Sequence, residues 1–254
     1  MGALESRDLY LQHVSVADEL PGGSYVSALP VVRSLREAGG LEFRSPVTMF
    51  VGENGVGKST LVEAIAVALK FNPEGGTANF DFSTQDSHSC LGDYLRTLKG
   101  TKRRRDGFFL RAESLYNVAS NIDELDREPG PGAPIIASYG GRSLHAQSHG
   151  ESFLALVENR FGGKGIYILD EPEAALSPMR VMTLMAHMQR LVDDESQFVM
   201  STHSPMLMAF PGADVLQITE AGIERVDYRD TEHYQVMRRF LEAPERMLGY
   251  LLDS

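Results

Sequence analysis

The residues with the most chemistry in their spacing are Gly52-Glu53-Asn54-Gly55-Val56-Gly57-Lys58-Ser59-Thr60, which fit the pattern Gly-x-x-x-x-Gly-Lys-Ser/Thr. Glycines at such positions let backbone N–H groups converge in conformations that a Cβ would oppose, forming a nest for an anion. A helix beginning at Lys58 would add its positive end and its free N–H groups. The Lys58 ammonium would reach β- and γ-phosphates, and the Ser59 hydroxyl would ligate Mg²⁺. A nucleoside-triphosphate site is therefore expected here. A second group is Asp170-Glu171-Pro172-Glu173, directly after the apolar run Ile166-Tyr167-Ile168-Leu169. Carboxylates at the end of a buried strand are costly unless something pairs with them. A bound metal supplies that partner. Asp170 fits the acid that holds Mg²⁺, and Glu171 the one that polarises the attacking water.

The elements that must position these groups are legible nearby. Val47-Thr48-Met49-Phe50-Val51 reads as a strand leading into the glycine loop, and Leu61, Ile65 and Leu69 recur at i, i+4 and i+8, as on a helix that buries one face. The 166–169 run suits a strand buried on both faces. Ser177 and Pro178 supply an N-cap and first position for a helix whose stripe is Val181, Leu184, Met185, Met188, Leu191 and Val192. Gln197 to Thr202 is a further buried strand, ending at His203-Ser204-Pro205. Ser148, with Glu151 three residues on, forms a capping box that opens a helix through Phe153, Leu154, Leu156, Val157 and Phe161. Upstream, short strands near 9–16 and 41–43 flank a helix from about Leu29. Tyr25 or Arg33 is a candidate contact for the adenine or a phosphate. The stretch 80–107 is polar and gives no clear pattern. A strand is expected over 107–114, a hairpin over 214–228, and helices from Glu232 to Leu252, broken at Pro244.

Composition sets the bounds. The chain has 254 residues, 43% apolar, with a formal charge of -11. Such a balance argues against a protein coated in nucleic acid, but it leaves room for a local basic patch, and Lys99, Lys102, Arg103, Arg104 and Arg105 form one candidate. Cys90 is the single cysteine, which suits a reducing, cytoplasmic setting. No run approaches the roughly 20 apolar residues of a membrane span, so no membrane insertion is expected. The N-terminus lacks the pattern of a secretory signal.

Taken together, 52–60, 148–152, 166–171 and His203 resemble, in order, the Walker A, signature, Walker B and switch-histidine motifs of the ABC-type ATPases. The signature reads Ser-His-Gly-Glu-Ser, unlike transporter subunits, and Ser177 stands where those usually carry aspartate. Asp-Glu-Pro-Glu with Thr-His-Ser-Pro is more similar to the RecF, SMC and OLD-nuclease branch, and among it to compact stand-alone predicted ATPases. The interval from Lys58 to Asp170 is too short for a long coiled-coil arm, and no nuclease segment is expected after His203. The resemblance implies Mg-dependent ATP hydrolysis coupled to an ATP-driven head-to-head homodimer, in which Ser148 and Gly150 contact the γ-phosphate held by a second copy and His203 senses the γ-phosphate. Glu113 or Gln85 would take the place of the family's switch glutamine. The expected process involves nucleic acid or a separate effector protein, in defence or a related role. The alternatives are the ATP-binding subunit of a membrane transporter and a nucleotide-gated interaction switch. The expected fold is one α/β domain with a mostly parallel sheet. Its parts are an N-terminal lobe with a β-rich layer and the P-loop (1–74), a helical lobe (75–150), and a segment with Walker B, the switch histidine and the C-terminal hairpin and helices (151–254).

Overall fold

The computed structural model describes residues 2–17, 20, 25–77, 89–126 and 135–252. Its strands are β1 (Leu11–Val16), β2 (Leu41–Glu42), β3 (Val47–Val51), β4 (Leu95–Lys99), β5 (Asp106–Arg111), β6 (Gly165–Asp170), β7 (Gln197–Ser201), β8 (Asp214–Thr219) and β9 (Gly222–Arg225). The helices are α1 (Pro30–Glu37), α2 (Lys58–Ala68), α3 (Leu91–Tyr94), α4 (Leu115–Leu125), α5 (His149–Arg160), α6 (Pro178–Asp193), α7 (Pro205–Met208), α8 (Glu232–Glu242) and α9 (Pro244–Leu252).

The central sheet has the order β5-β6-β7-β3-β8-β9. Its first five strands run parallel, and β9 closes one edge antiparallel to β8. The apolar runs read from the sequence are these inner strands. Because side chains alternate, each run feeds two cores. Phe50, Phe109, Ile168 and Val199 face one way, onto α2, α1 and the N-terminal strands. Met49, Phe108, Leu110, Tyr167, Leu169, Phe198 and Met200 face the other, onto α4, α5 and α6. The α/β architecture with a mostly parallel sheet is as expected.

A second, antiparallel sheet has the order β2-β1-β4 and forms the β-rich N-terminal layer. Here the 75–150 stretch departs from a purely helical lobe. It supplies β4 to this outer sheet and β5 to the edge of the central one before α4 begins. At the other end, α8 and α9 bury no residue fully and leave Val236, Met237, Leu241, Leu248, Tyr250, Leu251 and Leu252 exposed. Among the described residues, no helix is long and apolar enough to cross a membrane.

Candidate functional site

Parallel strands place their carboxyl ends on one edge, and the register decides which side chains meet there. Across the sheet, Arg111 of β5 is paired with Asp170 of β6, Asp170 with Ser201 of β7, and Ser201 with Phe50 of β3. The glycine loop leaves β3 one residue later, His203 follows two residues after Ser201, and Glu171 follows Asp170. The sheet therefore gathers the loop, the acidic pair and the histidine at one edge, the usual place for ligands in open α/β sheets.

The loop needs its glycines for stated reasons. Gly52, Gly55 and Gly57 have φ of 142°, 87° and 98°, where a side chain is strained. A Cβ on Gly52 would run into the Ile218 carbonyl of β8, and one on Gly57 would lie 2.6 Å from Val31 Cγ1. Gly57 caps α2, so the helix starts at Lys58 with its free N–H groups facing the loop. Lys58 is buried, and its Nζ donates to the carbonyls of Gly52 (2.8 Å) and Glu53 (2.7 Å). Burial pulls the Lys58 ammonium below its ordinary pKa, against the attraction of Glu171, Asp170 and Glu173. Glu53, Asn54 and Gly55 are exposed, Val56 is buried, and Ser59 and Thr60 are half-buried at the mouth of the helix.

Asp170 is buried, accepting from Ser201 Oγ at 2.5 Å on one oxygen and lying 3.3 Å from Arg111 Nε on the other. Glu171 adopts the left-handed conformation (φ 48°, ψ 53°), a strain that recurs at functional sites. Its N–H bonds to Ser201, while its carboxylate faces His203 Nε2 at 3.4 Å. Burial, then the charges of Asp170 and Glu173, raise the Glu171 pKa, with Lys58 opposing. A carboxylate pushed upward is a better proton acceptor near neutrality. Glu173 is buried deeper. Its Oε1 accepts from Thr202 Oγ1 (2.8 Å) and the His203 N–H (2.5 Å), its Oε2 has no hydrogen-bond partner, and burial raises its pKa. It ties the acidic turn to the end of β7. Burial and the Lys58 charge push His203 down to about 4, so its ring is neutral near pH 7.

The donor set fits Mg²⁺. That ion takes hard oxygen ligands, needs only one or two from the protein, and fills its shell with phosphate and water. The Ser59 hydroxyl and the Asp170 carboxylate are such ligands. Glu171 is raised by burial and then by the charges of Asp170 and Glu173, and the buried Glu173 Oε2 has no hydrogen-bond partner, so this edge carries negative charge that a cation would offset.

Arg111 was not visible as a site residue in the sequence. It bridges Asp170 and Glu63 of α2, with Nη1 at 2.7 Å from the Glu63 carboxylate, which also accepts the Ser89 N–H. A charged residue closing a buried strand was the available signal.

Ser148 and Gly150 open α5. The Glu151 carboxylate accepts from the Ser148 N–H and Oγ, forming the expected capping box. Arg180 of α6 donates to Ser148 Oγ (3.1 Å) and pairs with Glu151. A Cβ on Gly150 would lie 2.5 Å from the Arg180 guanidinium. Thus the structure packs this helix start against α6, while the other candidates gather at the loop.

Other candidates fall differently. Tyr25 is exposed, and Arg33 is paired with Glu220 at 2.7 Å. Glu113 is exposed just beyond β5, near enough to raise Glu171, and Gln85 lies outside the described residues. Cys90 is half-buried. The basic run is not uniform. Arg104 turns inward, donating to the Leu69 carbonyl and lying over the Phe71 ring, and Lys102 pairs with Glu195. Lys99, Arg103 and Arg105 remain exposed.

Parts of the chain are similar to known proteins. Residues 32–113 match the model of an AAA domain, and residues 152–209 match a second, described as AAA domain, putative AbiEii toxin, Type IV TA system. A retron Vc95 probable ATPase of Vibrio cholerae serotype O1 biovar El Tor is 28% identical over 134 residues, covering 46% of this chain and 25% of that protein. The DNA repair protein RAD50 of Drosophila melanogaster is 27% identical over 107 residues, covering 35% of this chain and 8% of that protein. The chain thus spans a quarter or less of these relatives. Among solved structures, CbiO1 from Clostridium perfringens, part of an ABC transporter complex, aligns over 97% of this chain and 100% of that one, with 15% identity and a TM-score of 0.49.

Proposed function

We propose that this chain, which is a P-loop ATPase of the ABC/AAA type, hydrolyses ATP with Mg²⁺ and uses ATP to close a homodimer. The observation that carries the reading is the convergence of the glycine loop, Asp170, Glu171 and His203 on one sheet edge. Lys58 would exchange the Gly52 and Glu53 carbonyls for phosphate oxygens. Ser59 and Asp170 would hold Mg²⁺, which neutralises charge on the β- and γ-phosphates when bound. Glu171 takes the proton of the attacking water, and its raised pKa suits that role. His203, neutral, offers a hydrogen bond toward the γ-phosphate. Ser148 and Gly150 open a helix N-terminus, a setting favourable to anions, and in the dimer they would face the γ-phosphate held by a second copy. The retron ATPase and RAD50 likenesses favour a nucleic-acid-related or defence process, with nucleic acid or an effector protein as partner.

The test is steady-state ATP hydrolysis with nucleotide binding measured separately. Glu171→Gln is expected to bind ATP and to lose turnover by roughly 10² to 10⁴, the usual worth of a positioned base. Lys58→Ala is expected to lose binding itself. Wild-type turnover in Glu171→Gln would remove Glu171 from the base role.

A further inference from the structure

The ring of His203 has a second neighbour that no part of the motif pattern supplies. His233, the second residue of α8, places its Nε2 2.8 Å from His203 Nδ1, with the ring centroids 4.9 Å apart. The two residues are 30 apart in the chain, and a buried Thr231 hydroxyl caps the helix start that carries His233. Burial and the Lys58 charge lower the pKa of His233 as they do that of His203.

The His203–His233 contact needs one donor and one acceptor, and the base role proposed for Glu171 selects which is which. Glu171, when it acts as a base, is an ionised acceptor, so His203 Nε2 facing it must carry hydrogen. A neutral ring then has a bare Nδ1, which accepts. His233 Nε2 must therefore be the donor. We propose that His233 is a positioning residue that holds the His203 ring in the Nε2–H tautomer and in the orientation facing Glu171. The inference rests on the reading of His203 as a γ-phosphate contact. It also makes α8, with its exposed apolar face, a mechanical extension of the phosphate site.

The test compares His233→Ala, His233→Gln and His233→Glu in the full chain, with folding checked by circular dichroism. Glutamine can place an N–H donor near the position of Nε2, whereas an ionised glutamate offers only acceptors. His233→Ala is expected to lower kcat about 10-fold, the low end of what losing an orienting outer partner costs, with KM for ATP unchanged. His233→Gln should recover most of kcat, and His233→Glu should fall at least as far as alanine. Long-range ¹H–¹⁵N spectra report the His203 tautomer directly. Nε2–H is expected in wild type and His233→Gln, and Nδ1–H in His233→Glu. A wild-type His203 protonated on Nδ1, or full kcat in both His233→Ala and His233→Glu, would overturn the proposal. A wild-type protein without ATP turnover would instead sink the proposed function, and the spectra would still decide the tautomer.

Discussion

Replacing Arg111 with leucine isolates the ion pair beneath the acidic edge. Glu63 is 6% exposed, and its salt-bridge partner is Arg111; the other group at its carboxylate is a neutral backbone N–H from Ser89. Removing one partner of a buried pair strands the other charge, at a cost of about 3–5 kcal/mol. Arg111 keeps a quarter of its side chain exposed, so water can reach part of the gap and the lower figure, about 3 kcal/mol, applies. Glu63→Gln is milder, because the amide oxygen still accepts the Ser89 N–H and Arg111 keeps Asp170. Its expected cost is about 1.5 kcal/mol, that of a hydrogen bond to a charged group. Adding Glu63→Gln to Arg111→Leu removes the stranded charge, so the double variant should be more stable than the two losses summed. The coupling should be about 1–2 kcal/mol, well above the scatter of independent sites. Urea unfolding at pH 7 of the four proteins measures it. A single Arg111→Leu within about 0.5 kcal/mol of wild type, or strict additivity, would refute the claim that this pair is buried and mutually dependent.

His203 has a folded pKa near 4 against an ordinary 6.5. The unfolded chain therefore binds the extra proton first, and the stability tied to the neutral ring is complete above about pH 6.5 and lost as pH falls toward 4. After solvent screening at this part-exposed ring, the effect should be about 1–2 kcal/mol. Glu171 and Glu173, with raised values, act in the opposite sense, so the readout is the difference between wild type and His203→Gln. The variant should gain on wild type between pH 7 and pH 4, and parallel urea midpoints would contradict this. For the basic stretch, Lys99, Arg103 and Arg105 are the cations free to meet a phosphate backbone, giving a salt slope of at most about -2.7 on duplex DNA. Fluorescence anisotropy across a salt series with ATP present checks it, and a slope unchanged in the triple alanine variant would assign the stretch to the solvated surface. Ser148→Arg should block ATP-driven dimerisation of Glu171→Gln in light scattering while leaving nucleotide binding intact. A dimer that still forms would move the interface elsewhere.

The loop 52–60 and the acidic pair were legible because their chemistry is local: glycines at positive φ, a helix start, and a buried strand closing on acids. The inner strands were legible because burial on both faces leaves continuous apolar runs. β4 was not. It is an outer strand with Arg96, Leu98 and Lys99 exposed, so no alternation announces it, and its pairing with β1 joins residues far apart in sequence. Arg111 and His233 escaped for a related reason. Each acquires its meaning only from the register of the sheet or the docking of a helix, neither of which is encoded near the residue. Arg104 reads as one more surface cation, yet the Phe71 ring and the Leu69 carbonyl draw it inward.

The seat of Lys58 gives the loop an internal competitor. Two carbonyls of its own backbone hold the ammonium at 2.8 and 2.7 Å, so a phosphate bound there as proposed would compete with the chain itself. Measured affinity is then an exchange energy, smaller than the contact energy by what the carbonyls release. The exchange also discriminates by reach. A nucleotide whose phosphate tail stops short of the ammonium leaves the latch closed and gains only the backbone nest. On the proposed function, the length of the polyphosphate would be read by a side chain that trades its own carbonyls for phosphate.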